Sequence, residues 1–201
     1  MSDEAAAIAR GKEAAAAHDQ WNVGVVTLLV ALMSYCFVWP SPFAEAALNY
    51  SVLCYMLADI AYHFAVPNCQ PNMLRLVTIM LHHAATLLLV LHPISFPQHA
   101  SWTRHAMLVE VNTVLHNANK VYKKPVFAAG FYLTWFGLRL GYCPYLLRVF
   151  DAEVRALGFA PWEFDYVRAV GSHAVICALN YFWTFEMGYK MLLQPKKSKQ
   201  G

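Results

Sequence analysis

Charge is what this sequence has least of. Only 13% of its 201 residues are Asp, Glu, Lys or Arg, while 59% are hydrophobic, and the mean hydropathy is +0.38. A water-soluble fold of this length needs far more charge to cover its surface, so a soluble globular domain is excluded. The net charge is only +3, and its basic residues are scattered through short loops and one tail, which argues against nucleic acid as a partner. Cysteine is scarce and odd in number. Cys36, Cys54, Cys69, Cys143 and Cys177 form no CxxC pair and mostly fall inside apolar runs. They read as small buried fillers rather than as a disulfide framework or a zinc site. A glycine-rich phosphate loop, a GxSxG elbow, an internal repeat and a low-complexity block are all missing. So is a cleavable signal. Residues Ser2 to Gln20 are Ala-rich and carry Asp3, Glu4, Arg10, Lys12 and Glu13, which suits a short surface helix, and the first apolar run would itself direct insertion.

What is present is a series of long apolar runs: Val23 to Trp39, Phe43 to Val66, Met73 to Leu91, Ser101 to Asn119, Val126 to Phe150, and Val167 to Leu193. Each is long enough, at about 1.5 Å per residue, to cross a hydrocarbon core. The breaks have local causes. Trp39-Pro40-Ser41-Pro42, Val66-Pro67 through Pro71, and His92-Pro93 through Pro97 read as tight turns, and Lys123-Lys124-Pro125 separates the fourth and fifth runs. The longest connection, Asp151 to Asp165, is charged and contains Gly158 and Pro161. The expected fold is an all-α, polytopic transmembrane helical bundle of about six spans. Residues 1–22 form an N-terminal segment, 23–193 the transmembrane domain and 194–201 a basic tail. The side bearing both termini holds Arg10, Lys12, Arg75, Lys120, Lys123, Lys124, Lys190, Lys196, Lys197 and Lys199, whereas the other holds Arg104, Arg148, Arg155 and Arg168. The positive-inside rule therefore puts both termini in the cytosol.

Within the apolar runs lie residues that lipid disfavours: Asp59, His82, His83, Glu110, Asn112, Arg139, His173, Asn180 and Glu186. A charge at the bilayer centre costs about 2.5–3.5 kcal/mol on insertion scales, so such residues face a partner or a cavity. Counted from the cytosolic end at 1.5 Å per residue, Asp59, His82, Glu110 and Asn180 lie roughly 10 to 17 Å deep. Four helices thus place polar groups in one slab, as a pocket open to the cytosol requires. Asp59 and His63 share a helix face at i, i+4, and Glu110 and Asn117 lie two turns apart on another. A single intramembrane histidine is more often a packing residue than a catalyst. Arg139 and Glu186 are each explained by a structural ion pair or an interfacial anchor. Four costly residues at one depth are not so easily explained.

Adjacent histidines on a helix point about 100° apart and need not share a role. A carboxylate accepting Nδ1–H of one imidazole would fix its tautomer and leave Nε2 free as nucleophile or base, a chemistry suited to acyl transfer. A metal held by His82, His83, Glu110 and Asp59 is disfavoured, because adjacent histidines lack the i, i+4 spacing of helical ligands.

The order of these features resembles the TLC-domain family, which includes the ceramide synthases and several smaller six-span endoplasmic reticulum proteins. The resemblance rests on Tyr55-Met56-Leu57-Ala58-Asp59, Met80-Leu81-His82-His83-Ala84-Ala85-Thr86 and Leu108-Val109-Glu110-Val111-Asn112-Thr113. It continues with Phe136-Gly137-Leu138-Arg139 followed by Pro144, and with Leu179-Asn180-Tyr181-Phe182-Trp183. It implies that His82 and His83 take the position of the paired catalytic histidines of acyl transfer. The ceramide synthases carry two aspartates on the next span; here Glu110 stands at the first and Thr113 at the second. That departure is similar to the smaller members, which are linked to membrane phospholipid composition, lysophospholipid acylation or trafficking.

The resemblance thus implies a multi-pass endoplasmic reticulum protein of lipid metabolism, an acyltransferase with acyl-CoA or a phospholipid as donor and no bound cofactor. Its acceptor would be an amine or lysolipid. His82, His83, Glu110 and Asp59 would be catalytic, with Glu110 the orienting carboxylate and Asp59 a second polar support. Arg139, Asn180, Asn112 and Trp183 would contact substrate. The alternative is a non-enzymatic lipid-binding or cargo-handling membrane protein using the same pocket. Fatty-acid elongases, which carry an HxxHH box, are a distant third: the first box histidine is replaced by Ile79. The tail Lys197-Ser198-Lys199-Gln200-Gly201 resembles a dilysine retrieval signal, read by a retrieval coat from the cytosol. The partners expected are membrane lipids.

Overall fold

The computed structural model describes residues 3–193, so the tail with Lys197 and Lys199 lies outside the described residues. Among the described residues the chain is helical and contains no strand. The elements are α1 (Asp3–Val38), α2 (Pro42–Ala65), α3 (Met73–Ser95), α4 (Trp102–Met107), α5 (Glu110–Tyr122), α6 (Pro125–Thr134), α7 (Cys143–Ala156), α8 (Phe164–Tyr166) and α9 (Ser172–Leu193). π-helical segments at Trp135–Tyr142 and Val167–Gly171 join α6 to α7 and α8 to α9, and short 3₁₀ turns follow α2 and α3.

The helix starts follow local chemistry. Ser41 caps α2 by accepting from the Ala44 N–H at 3.1 Å, with Pro42 in the first turn, where its missing N–H is harmless. Asn72 caps α3 in the same way, accepting from Arg75 N–H at 2.8 Å. Four details differ from expectation. Residues before Val23 are not a separate surface helix: α1 runs unbroken for 36 residues, because Ala, Glu, Lys and Arg before the apolar run are all strong helix formers. Pro93 does not end α3, which continues to Ser95, since a proline in the last turn removes only one hydrogen bond. Helix α7 continues to Ala156, shortening the expected 151–165 connection. The fourth apolar run breaks at Leu108–Val109, where Leu108, Val109, Val111 and Asn112 donate to carbonyls three residues back, a 3₁₀ tightening placed immediately before Glu110.

Packing is inverted relative to a soluble protein. Phe43, Leu133 and Leu192 are 85%, 76% and 85% exposed, while Asp59 and Asn180 are 1% and 0% exposed. Leu28, Phe64, Leu74 and Phe185 are likewise exposed, and His63, His92, Asn112 and Arg139 buried. Two helical stretches, Ala9–Val38 and Met73–Ser95, are long and apolar enough to cross a membrane. The other long helices dilute that signal with polar residues, Glu45, Asn49, Asp59 and His63 on α2 and Asn180, Glu186 and Lys190 on α9.

One apolar cluster joins α3, α4, α7 and α9 around Leu89, Trp102, Leu146 and Phe150; another joins α1, α2 and α3 around Leu29, Met33, Leu48 and Val52. At one end a half-buried Arg104–Glu45 ion pair ties α4 to α2, and Arg104 Nη1 also donates to the Cys36 carbonyl at 3.1 Å. Beside that pair a cavity of about 490 Å³ opens between the α1–α2 and α3–α4 connections. The histidine-rich centre lies toward the other ends of α1, α2 and α3.

Candidate functional site

Asp59 is the hub. It lies on the last two turns of α2, almost wholly buried, and each carboxylate oxygen receives an imidazole. His83 Nε2–H donates to Oδ2 at 2.6 Å from α3, and His18 Nε2–H donates to Oδ1 at 2.6 Å from α1. An ionised carboxylate in an apolar interior needs such donors to offset its lost hydration. A third imidazole, His63, sits one turn along α2 and donates Nδ1–H to the Asp59 carbonyl at 2.8 Å. Its Nε2 accepts from the Gln70 amide at 2.9 Å, which fixes the tautomer. Stacking of His18 on Tyr62, with centroids 4.8 Å apart, and a Tyr62 hydroxyl donating to the Ala14 carbonyl at 3.0 Å hold α1 in place.

His83 is left with Nδ1 buried and unpartnered. The carboxylate therefore fixes the opposite tautomer from the one anticipated, and the carboxylate that orients the ring is Asp59 rather than Glu110. Glu110 instead sits at the start of α5, 3.9 Å from Arg139 Nη2. His82, 100° round α3 from its neighbour, turns to a different place. Its ring lies 5.5 Å from Trp183, and the Arg75 guanidinium lies 5.1 Å from the same indole. His82 and Glu110 line one small enclosed cavity of about 40 Å³, together with Thr86, Thr103, Cys143 and His173. The four residues read as catalytic thus divide into two pairs, Asp59 with His83 and His82 with Glu110.

Of the residues read as substrate contacts, three meet. Arg139 is buried in the π segment and donates Nε–H to Asn112 Oδ1 at 3.0 Å, Nη1–H to Asn180 Oδ1 at 3.1 Å and Nη2–H to Thr113 Oγ1 at 2.8 Å. Asn112 in turn donates to the Phe131 carbonyl at 2.8 Å. The π segment has a local cause: Pro144 offers no N–H to the preceding turn and its ring crowds the carbonyl there, and a wider turn relieves both. Trp183 stands apart, between Arg75 and His82. Glu186 pairs with Lys190 at 2.6 Å on the exposed face of α9, the ion-pair reading given to it.

Nothing in the sequence marks His18, one histidine in a charged, Ala-rich stretch. His63 is marked by its i, i+4 spacing from Asp59, and Gln70 is not marked at all. The cysteines are not all separate fillers: Cys143 and Cys177 meet with their sulfurs 3.3 Å apart beside His173. His173 and Cys177 stand at i, i+4 on α9, the spacing of helical ligands, while Cys143 comes from α7.

A family model described as TLC domain matches residues 19–188, most of the chain. No curated protein and no solved structure matches it.

Proposed function

Because the chain belongs to the TLC-domain family, we propose that it is a multi-pass membrane protein of the endoplasmic reticulum that acts on membrane lipids by acyl transfer. The six helical rods α1, α2, α3, α4–α5, α6–α7 and α8–α9 supply the spans, and the apolar exterior suits a hydrocarbon solvent. The observation that carries the chemistry is the Asp59–His83 pair, with an imidazole nitrogen left unpartnered.

In this reading His83 Nδ1 takes the proton of an amine or lysolipid hydroxyl as that group attacks the carbonyl of an acyl-CoA or phospholipid donor. The acyl–sulfur or acyl–oxygen bond breaks, and the imidazolium returns the proton to the leaving group. Asp59 stabilises the imidazolium between those events, and positioned acid–base catalysis of this kind supplies roughly 10²–10⁴-fold. His82 and Glu110 form the wall nearest the acyl carbonyl, while Arg139, held by Asn112, Asn180 and Thr113, supplies a fixed positive charge for an anionic group. Substrate binding must widen the approach to His83, since the neighbouring cavity admits no acyl chain at about 40 Å³.

A second reading, a non-enzymatic lipid-binding or cargo-handling protein, is favoured by Thr113. It satisfies Arg139 where the ceramide synthases have an aspartate. Purified protein is incubated with long-chain acyl-CoA and a lysophospholipid or long-chain amine, and products are read by mass spectrometry. Acylated product that disappears in His83→Ala and Asp59→Asn supports the enzyme. A tightly held native lipid with no product from the wild type moves the assignment to binding.

A further inference from the structure

We propose that Cys143, His173 and Cys177 form a zinc site inside the helical bundle, separate from the Asp59 centre. The three side chains are 1%, 2% and 5% exposed, and their ligand atoms lie within 4.8 Å of one another. Two thiols and an imidazole are the donor set of a borderline-soft divalent ion.

The distances discriminate among alternatives. Zn–S bonds of about 2.3 Å and Zn–N bonds of about 2.0–2.1 Å, set at the tetrahedral angle, separate sulfur from nitrogen by about 3.5 Å and two sulfurs by about 3.8 Å. Here Cys143 Sγ is 3.6 Å from His173 Nε2, and the two sulfurs are 3.3 Å apart. The Cys143–His173 edge fits as it stands, the Cys177–His173 edge is within 4.8 Å, and the sulfur–sulfur edge needs an opening of about half an ångström. A disulfide would need the sulfurs to close by more than twice that, to about 2.05 Å.

The surroundings suit an ion. His173 Nε2–H now donates to the Cys143 carbonyl at 3.0 Å, and its Nδ1 is buried without a partner. Binding expels the two thiol protons and moves the imidazole proton from Nε2 to Nδ1, so all three ligands reach the metal in their binding forms. The Asn180 amide donates toward Cys143 Sγ at 3.7 Å, a contact that strengthens when the sulfur becomes a thiolate. One Zn²⁺ with two thiolates is electroneutral, which matters where the dielectric is low. Cys143 and His173 also line the small cavity bordered by Glu110 and His82, which has room for a water molecule as a fourth ligand.

The test uses the full chain purified in detergent, supplied with zinc and washed, then measured by elemental mass spectrometry, with Co²⁺ as a spectroscopic substitute. About one metal ion per chain is expected, with a sulfur-to-cobalt charge-transfer band in the near ultraviolet. In Cys143→Ser/Cys177→Ser both should be lost. Wild-type protein that takes up no metal overturns the proposal. So does metal without the charge-transfer band, which would place the ion on nitrogen and oxygen ligands such as His18, Asp59 and His63. An intact mass two daltons low, marking a disulfide, also overturns it. The wild-type cobalt spectrum decides the matter even where the double variant fails to fold.

Discussion

Asp59 accepts one imidazole on each oxygen, and its removal leaves two buried histidines without their acceptor. Breaking a buried charged pair from one side costs about 3–5 kcal/mol. Asp59→Ala is therefore expected to lose that much, whereas His18→Ala, which leaves Asp59 still paired with His83, should lose about 1–3 kcal/mol. Glu110→Gln should cost least, because Arg139 keeps its three neutral acceptors. Denaturant unfolding in detergent checks the order, and equal losses across the three would show that Asp59 is not the hub. The same residues mark how far the site could be read from the sequence. Asp59, His83, Glu110 and Arg139 stand out because a charge in an apolar run needs a reason. Which carboxylate meets which imidazole depends on helix packing, and the contact to His83 expected of Glu110 is made by Asp59. His18 is one residue before the matched family range and carries no such contrast with its neighbours. Cys143 and Cys177 look apolar one at a time, and only the pairing of α7 with α9 brings Cys143 to His173 and Cys177.

Among the elements, α1 shows how a remote contact sets the site. Its N-terminal half docks where Gly11 passes the turn after α2, so close that an added Cβ would lie 2.8 Å from the Asn68 carbonyl oxygen. That obstacle is backbone and cannot rotate away. Gly11→Val should therefore lift this half of α1 and withdraw His18, two turns further along, from Asp59. The expected result is faster amide hydrogen exchange across residues 10–20, with α3 and α9 unchanged; unaltered exchange there would refute the docking argument. The other end of the scale is Lys123, which ends α5 in the left-handed region at φ 49°. A lysine there carries strain that glycine lacks, so Lys123→Gly should stabilise by about 1 kcal/mol, read as a raised unfolding midpoint. Helix positions were largely legible from hydrophobic run length and proline. The 3₁₀ break before Glu110 and the π segment around Arg139 were not, because a one-residue change in winding leaves no mark on hydropathy.

At the scale of the molecule, polarity runs opposite to a soluble fold, and the two ends of the bundle differ in charge. The start of α1, the last turn of α5 and the connection after it carry Arg10, Lys12, Lys120, Lys123 and Lys124, and Lys120 pairs with Asp19 at 3.0 Å on that end. The connections after α1, α3 and α7 carry fewer basic residues, and there Arg155 is tied to Asp151 at 2.7 Å. If the six rods cross as proposed, both ends of the chain would lie on the lysine-rich side, which the positive-inside rule would assign to the cytosol. An N-glycosylation sequon introduced near Gly158 should then acquire a glycan in microsomes, while one introduced beside Lys123 should stay bare. A sequon in the α1–α2 connection tests a separate crossing and should follow Gly158. Glycan at Lys123 alone would invert the orientation and put Asp59 toward the lumen. That would remove cytosolic acyl-CoA as a donor, because the Asp59–His83 pair lies nearer the lysine-rich end. Glycan at both Gly158 and Lys123 would mean that α6–α7 does not cross, and Arg139 would then lose the lipid-excluded setting that makes its buried network worth forming.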